Sequence, residues 1–318
     1  MPKVTIVVPN YNGRGFLEDC LDSLQTQTLD NLQIMVVDNA SEDDSCQFIE
    51  EKYPEVELVR MSTNTGFCGA VNEGIRRSRA PYVLLLNNDT EATETFVEEL
   101  YRAIQRDDNI FSCSAKMIQY FDRTKMDDAG DYYCALGWAY AYGKGKPIEK
   151  YDQERRIFFS CAGAAIYRKD ILDEIGYFDE SHFAYLEDAD VGYRARIYGY
   201  ENRYIPSAVV YHVGSGTSGS VYNLFKTRYS SRNNVYLMYK NMPVLQIILN
   251  LPFWILGFAV KALFFVLKGY GKEYILGLGR GIALCKKGKK VPFQWKNLKN
   301  YGKIQLELWA NMFRFLVK

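Results

Sequence analysis

The stretch Tyr82-Val83-Leu84-Leu85-Leu86-Asn87-Asn88-Asp89-Thr90 decides the fold. Its apolar run, Val83 to Leu86, reads as a strand buried on both faces, the pattern of a parallel sheet. Such a strand has reason to end in Asn-Asn-Asp only if its carboxyl end opens onto something polar. In open α/β sheets that edge is where ligands bind. A cluster of hard oxygens there suits a divalent cation that also holds phosphate oxygens. The competing reading is that Asp89 merely caps a helix expected over Glu91 to Arg106.

The segments before this strand repeat one theme. Val4 to Val8 is an apolar strand stopped by Pro9-Asn10-Tyr11-Asn12-Gly13, and Phe16, Leu17, Cys20, Leu21 and Leu24 then recur at helical spacing. Ile34 to Val37 is the next strand, ending in Asp38-Asn39-Ala40-Ser41, with Ser41 as N-cap of a helix reaching about Tyr53. Val56 to Val59 is a third, followed by Asn64-Thr65-Gly66-Phe67-Cys68-Gly69 and a helix through Arg77. Repeated β-α units of this length predict a doubly wound, mostly parallel α/β sheet. Three polar clusters therefore follow strand ends. Asp38 suits the imide or amide N–H of a nucleobase, and the glycines of 64–69 allow close approach to a sugar or diphosphate. Dinucleotide binding is disfavoured, because Gly13-Arg14-Gly15 has Glu18 where a third glycine belongs, and no Walker loop is present.

Composition narrows the setting. Seven scattered cysteines without a C-x-x-C argue for reduced thiols in a cytosolic setting. Val4 to Val8 is too short for the apolar core of a signal peptide. The net charge of +1 conceals a split: residues 243–318 carry 13 Lys and Arg against 2 acids, while the preceding part is net acidic by 10. Two regions facing different environments are expected.

The second half supplies chemistry. Ile157 to Arg168 reads as one strand with small residues at Cys161 to Ala165, and Lys169 to Ile175 as a helix closed by Gly176. Glu187, Asp188 and Asp190 open a helix running to Tyr198, where the dipole favours ionised carboxylates. Such acids serve helix stability alone, or one of them is a general base. Val209 to Tyr211 forms a short strand ending at His212, followed by the Gly/Ser-rich stretch 213–220; His182 reads as loop packing or an acceptor contact. Between the halves, Gln119 to Glu154 has no clear period. Its Tyr132, Tyr133, Trp138, Tyr140 and Tyr142 either stack on acceptor sugars or form a packed cluster.

Taken together, Val4–Asn12, Val36–Ser41, Asn64–Phe67, Leu86–Asp89, Gly176–Glu180 and Tyr185–Asp190 resemble, in order, the motifs of the family 2 glycosyltransferases. The closest branch is that of bacterial rhamnosyltransferase-like enzymes of surface-polysaccharide assembly, and the resemblance covers about residues 3–240. It implies a GT-A fold, a nucleotide-sugar donor of dTDP or UDP type, an inverting reaction and a divalent metal, Mg2+ or Mn2+. By this resemblance Pro9, Tyr11, Asp38, Asn64, Gly66, Asn88, Asp89 and Arg232 bind the donor, with Asp38 at the base and Arg232 near the diphosphate. It also assigns Asp188 as the catalytic base and Asp89 with His212 to the metal. Asn87 departs from the family pattern, which has an acid there. Two other classes stand as alternatives: a sugar nucleotidyltransferase, whose basic glycine-rich loop does not follow the first strand here, and a non-catalytic nucleotide-sugar-binding subunit, which Asn87 would permit.

The expected organisation is a catalytic domain over 1–240, with a donor half to 118 and an acceptor half from 119, then a helical basic extension over 241–318. Pro243 to Leu267 is rich in apolar residues but interrupted by Gln246, Asn250, Pro252 and Lys261. A charge in mid-span is costly, so the reading is a helix lying in the membrane interface, aided by Lys286, Lys287, Lys289 and Lys290 and anchored by Trp295 and Trp309. Expected partners are the donor, a lipid-linked or glycan acceptor and the cytoplasmic face of the inner membrane; nucleic acid is not among them. The alternative is that these helices pack on the catalytic domain or on a second copy of the chain.

Overall fold

The structure is a computed structural model and describes residues 1–214 and 222–317, so most of the Gly/Ser stretch after His212 lies outside the described residues. The front of the chain alternates as expected: β1 (Val4–Asn10), α1 (Arg14–Gln25), β2 (Leu32–Asp38), α2 (Ser45–Lys52), β3 (Glu57–Arg60), α3 (Gly66–Arg77) and β4 (Tyr82–Leu86). The chain continues through β5 (Thr90–Ala92), α4 (Phe96–Ile104), β6 (Ile110–Gln119), β7 (Met126–Asp128), β8 (Asp131–Cys134), β9 (Trp138–Ala141), β10 (Arg155–Ile157), β11 (Ala164–Arg168), α5 (Lys169–Ile175), α6 (Glu187–Tyr198) and β12 (Glu201–His212). Helices α7 (Leu224–Asn241), α8 (Val244–Leu267), α9 (Gly271–Cys285) and α10 (Leu298–Val317) complete it.

The main sheet runs β10-β12-β6-β11-β4-β1-β2-β3, with β5 added to β12 and β7 to β6. Along that path β10 and β11 alone run against the rest, which makes the sheet largely parallel. Alternation sets its two faces. Ile6, Val8, Leu84 and Leu86 pack with α1 and α4 on one side, while Val7, Val83 and Leu85 pack with α3, α5 and α6 on the other. The carboxyl ends of β1, β2, β4, β6 and β12 consequently share one edge. This is the mixed α/β architecture the resemblance implied.

Four local expectations need correction. The helix expected over Glu91 to Arg106 starts only at Phe96, because Thr90 to Ala92 pair with β12 and only Phe96, Val97, Leu100, Ala103 and Ile104 form a buried helical stripe. Asp89 therefore caps no helix. Ile157 to Arg168 is two strands, since Phe158 to Gly163 leave the sheet and direct small residues towards a cavity. The strand before His212 is 12 residues long, with its pairing register shifted between Ile205 and Val209, around Pro206. Finally, the boundary near residue 241 does not divide the packing: Tyr301, Ile304 and Leu308 of α10 share one cluster with Tyr133, Phe158 and Tyr193.

Helix α8 is inverted relative to a surface helix. Its buried positions are Gln246, Asn250, Trp254 and Gly257, a stripe at helical spacing. Gln246 accepts from the Tyr193 hydroxyl at 2.8 Å, and the Asn250 and Gln305 amides donate to each other at 2.8 and 2.9 Å. At Gly257 a Cβ would collide with the Leu136 carbonyl, so only glycine permits this approach. Two of the polar residues that seemed to interrupt an apolar run thus form its inner contact, while Ile248, Ile255, Leu256 and Leu263 face outward.

A buried ionic group joins α6 to α7. Lys240 Nζ lies 2.7 Å from Asp179 Oδ2 and 2.8 Å from Asp190 Oδ2, and Arg194 pairs with Asp190 at 3.0 Å. Burial works against both carboxylates, yet Lys240 outweighs it and holds Asp179 at about 2, with Asp190 also well below the usual carboxylate range. Removing one partner of such a group costs about 3–5 kcal/mol. Lys240→Met should lower the unfolding free energy by roughly that amount in urea titrations. Because these folded-state pKa values are depressed, the stabilisation is present above about pH 4 and lost as pH falls towards about 2. The variant should show a flatter stability profile over that interval.

Candidate active site

The shared edge of the sheet opens into a cavity of about 1360 Å3. That is ample for a nucleotide-sugar and part of an acceptor. Pro9, Tyr11, Asn64, Gly66, Asn88, Asp89, Asp188 and His212, all expected site residues, line it. Asp38 and Arg232 are not among the lining residues.

Asp38 is 2% exposed and already engaged. Its Oδ1 accepts from Asn10 Nδ2 at 2.9 Å and the Ser41 hydroxyl at 2.6 Å, and its Oδ2 from the Ser41 amide at 3.0 Å. Ser41 therefore closes a turn on Asp38, and α2 starts later, at Ser45. Asn10 also accepts from Asn88 Nδ2 at 2.7 Å, linking the ends of β1, β2 and β4. Asn39 takes the parallel role one position on, bonding Asn64, Thr65 and the Gly66 carbonyl. Gly66 has φ of 75°, and a Cβ there would meet the Phe183 carbonyl at 2.5 Å.

Arg232 needs the larger correction. Its guanidinium donates to the carbonyls of Ser181 and His182 at 2.8 and 2.7 Å and lies over the Tyr229 ring. Asn233 donates to the carbonyls of His182, Ala184 and Tyr185 at 2.7–2.9 Å. The turn they hold has positive φ at Phe183, Tyr185 and Leu186, a conformation costly for non-glycine residues. The Arg-Asn pair is thus a clamp on the chain entering α6, and Arg232 does not line the cavity.

That clamp delivers Glu187 and Asp188. The dipole argument made all the first-turn acids ionised, but burial divides them. Glu187 is pushed well up by burial and the neighbouring Asp188 charge, and its Oε2 has no hydrogen-bond partner among the described residues. Burial raises Asp188 to about 6, although amide N–H groups, that of Ala189 at 2.7 Å among them, counter it. Asp190 is the ionised one, committed to Lys240 and Arg194. Among the three, Asp188 alone combines access to the cavity with a pKa near neutrality, the condition for a general base.

His212 lies between two acids. Nε2 is 3.3 Å from Asp89 Oδ1, and Nδ1 is 2.8 Å from Asp127 Oδ2, whose partner oxygen binds Lys144 at 2.7 Å. Burial opposes the imidazolium, but hydrogen bonds to both carboxylates prevail and hold it at about 9. A divalent cation would displace the proton from Nε2 and leave Nδ1–H on Asp127; adjacent ligands of an octahedral shell with radii near 2.1 Å stand about 3 Å apart, close to the Asp89–His212 spacing.

Sequence reasoning passed over Asp127, Asp128, Asp131 and Lys144, all lining the cavity from the segment without clear period. The signal was three acids in five residues around Gly130. Asp128, Asp131 and Cys161 bring their ligand atoms within 4.8 Å of one another. Burial pushes Asp128 up to about 6 and Asp131 well up, the latter reinforced by the Asp128 charge, so the pair favours a shared proton. Most of the aromatic group in this segment is packed: Tyr132, Tyr133 and Tyr140 are buried, and Tyr140 stacks on Tyr132 and meets Phe315 of α10. Because Asn10 satisfies both Asp38 and Asn88, Asn10→Ala should cost about 1–3 kcal/mol in urea unfolding. It should also weaken nucleoside diphosphate binding in calorimetry; unchanged stability would mean that water replaces the amide at no cost.

The sequence profile described as Glycosyl transferase family 2 matches residues 5–176. The N-acetylglucosaminyl-diphospho-decaprenol L-rhamnosyltransferase of Mycobacterium tuberculosis is 25% identical over 239 residues, 67% of this chain and 77% of that protein. Among solved structures, GalNAc-T7 with UDP, GalNAc and Mn2+ aligns with a TM-score of 0.61 at 15% identity, over 75% of this chain and 48% of that one. S. aureus TarS aligns at 0.53 and 17% identity, over 76% of this chain and 40% of that one. These two likenesses bear on the fold. With the profile covering more than half of its residues, the chain belongs to glycosyl transferase family 2.

Proposed function

We propose that this glycosyltransferase inverts its substrate's anomeric centre, moving rhamnose from a dTDP- or UDP-type donor to an acceptor sugar on a lipid diphosphate. The observation that carries the reading is that Asp188 and the Asp89–His212 pair open onto one cavity at the carboxyl edge of the sheet. The named activity of the mycobacterial relative supports the sugar and the acceptor.

In this mechanism the donor diphosphate lies by Asp89 and His212. Pro9, Tyr11, Asn64, Gly66 and Asn88 surround the nucleoside, and Asp38 braces Asn10 behind them instead of meeting the base itself. Asp188 takes the proton from the acceptor hydroxyl. The hydroxyl oxygen then bonds to the anomeric carbon as the bond to the nucleoside diphosphate breaks, its electron pair leaving with the diphosphate oxygen. Mg2+ or Mn2+ held by Asp89 and His212 would neutralise charge on that diphosphate. Asp127 holds His212 by Nδ1, which fixes the ring orientation.

The enzyme acts as a peripheral protein on the cytoplasmic face of the inner membrane. Support comes from α8, whose most apolar window has a mean hydropathy of 1.9 with only 17% of it buried. A core helix would show the opposite burial. The basic stretch 286–290 adds attraction for anionic headgroups.

Two measurements test this. Asp188→Asn should lower kcat by about 10²-fold or more. The wild-type rate should rise with pH as Asp188 loses its proton, half-maximal near 6, and the variant should lack that limb. Full activity in Asp188→Asn would discard it as base. In flotation, the full chain should rise with phosphatidylglycerol vesicles, less at high salt, and Ile255→Glu with Leu256→Glu should abolish this. Equal flotation of wild type and variant would discard the α8 face, and dimerisation lost in the variant would assign it to a second copy.

A further inference from the structure

The polar floor of the cavity gives way on one side to an apolar rim. Leu224 and Phe225, in the first turn of α7, and Tyr270, between α8 and α9, line the same cavity as Asp188. Phe225 packs against Phe183, Tyr185 and Tyr229, with ring centroids 6.3, 5.9 and 4.5 Å away. Tyr222 carries the surface onward, its ring 5.5 Å from Phe264 and 6.3 Å from Phe265 near the end of α8. This path is open to the outside: Leu224 is 54% exposed, Phe225 42%, Leu263 62% and Leu267 77%. Recognition of a sugar and a diphosphate gives no reason for exposed Leu and Phe at the mouth, and a contiguous apolar patch of this kind marks a binding surface.

We propose that this rim is the track for the hydrocarbon chain of the acceptor. The chain would leave the cavity over Phe225 and Leu224 and pass Tyr222 and Phe264 to the outward face of α8. The inference rests on the reading of the acceptor as lipid-linked and adds where its lipid binds. Continuity is the main argument: Tyr270, which lines the cavity, donates to the Tyr222 carbonyl at 3.2 Å, and the Tyr222 ring packs on Phe264 and Phe265 of α8. Charge is the second. Lys226, next to Phe225, and Lys144 both line the cavity, and the region from residue 243 onward carries 13 cations against 2 acids. An anionic diphosphate at the head of the chain, and anionic lipid at its far end, both suit that distribution. A helical peptide seated on the same rim would gain nothing from its continuity with the cavity.

The test uses the full chain in detergent micelles, with the nucleotide-sugar donor and two acceptors sharing one sugar-diphosphate head. One acceptor bears a long isoprenoid chain, the other a short, water-soluble alkyl group. The wild type should prefer the long-chain acceptor in kcat/KM. In Leu224→Ser and Phe225→Ser that preference should fall at least fivefold, through KM for the long-chain acceptor. Phe121→Ser, at an exposed apolar residue away from the cavity, should keep it. If both rim variants keep the wild-type preference, or the wild type shows none, the track is overturned while the transfer reading stands. No transfer by the wild type to either acceptor overturns that reading and the track with it.

Discussion

A three-residue strand sets the anionic end of the cavity. Thr90 of β5 stands opposite His212 of β12, and the Val213 amide donates to the Asp89 carbonyl at 3.0 Å. On the other side of β12, His212 stands opposite Gln119 of β6, and β7 lies on β6 with Asp128 opposite Met117. Sheet register alone therefore brings Asp89 and Asp127 to the two sides of one imidazole. A one-residue slip would turn His212 to the other face. The meeting of Asp89 with His212 is thus a property of backbone pairing before it is one of side-chain choice.

Asp188, the proposed base, is positioned by a different device. Three residues in the left-handed region bend the chain sharply just before α6, and Arg232 and Asn233 hold that bend by its carbonyls. Helix α7, which supplies the clamp, is itself packed closely on α9: a Cβ at Gly281 would meet the Arg232 carbonyl at 2.5 Å. The position of Asp188 therefore depends on helices far along the chain from it. The buried Lys240 group makes the same connection a turn or two away. Catalytic geometry and the C-terminal helices form one mechanical unit.

Much of this was legible in the sequence. Strands buried on both faces announce themselves by unbroken apolar runs, and each polar cluster after them does reach the shared edge, Asp38 included, though its oxygens are spent internally. What escaped was non-local. Thr90 to Ala92 looks helical until β12 is present to pair with it. Gln246 and Asn250 look like flaws in a membrane-seeking helix until Tyr193 and Gln305 are seen opposite them. The ionisation of Glu187, Asp188 and Asp190 cannot be ordered by the helix dipole, because burial and Lys240, fifty residues away from Asp190, decide it. The grip of Arg232 on the carbonyls before α6 was not legible either, because its partners lie about fifty residues earlier in the chain.

The return of α10 to the middle of the chain has a consequence for biosynthesis. Tyr301, Ile304 and Leu308 complete a core whose other members begin at Met126. The front sheet of β1 to β4 can close while the ribosome is still translating, because its strands and helices follow one another locally. The core around Tyr133 cannot. Until residues 298–317 clear the exit tunnel, Tyr133, Phe158 and Tyr193 lack their covering helix. A nascent chain stalled before that point would carry a closed front sheet beside bare aromatic surface, a natural client for chaperones.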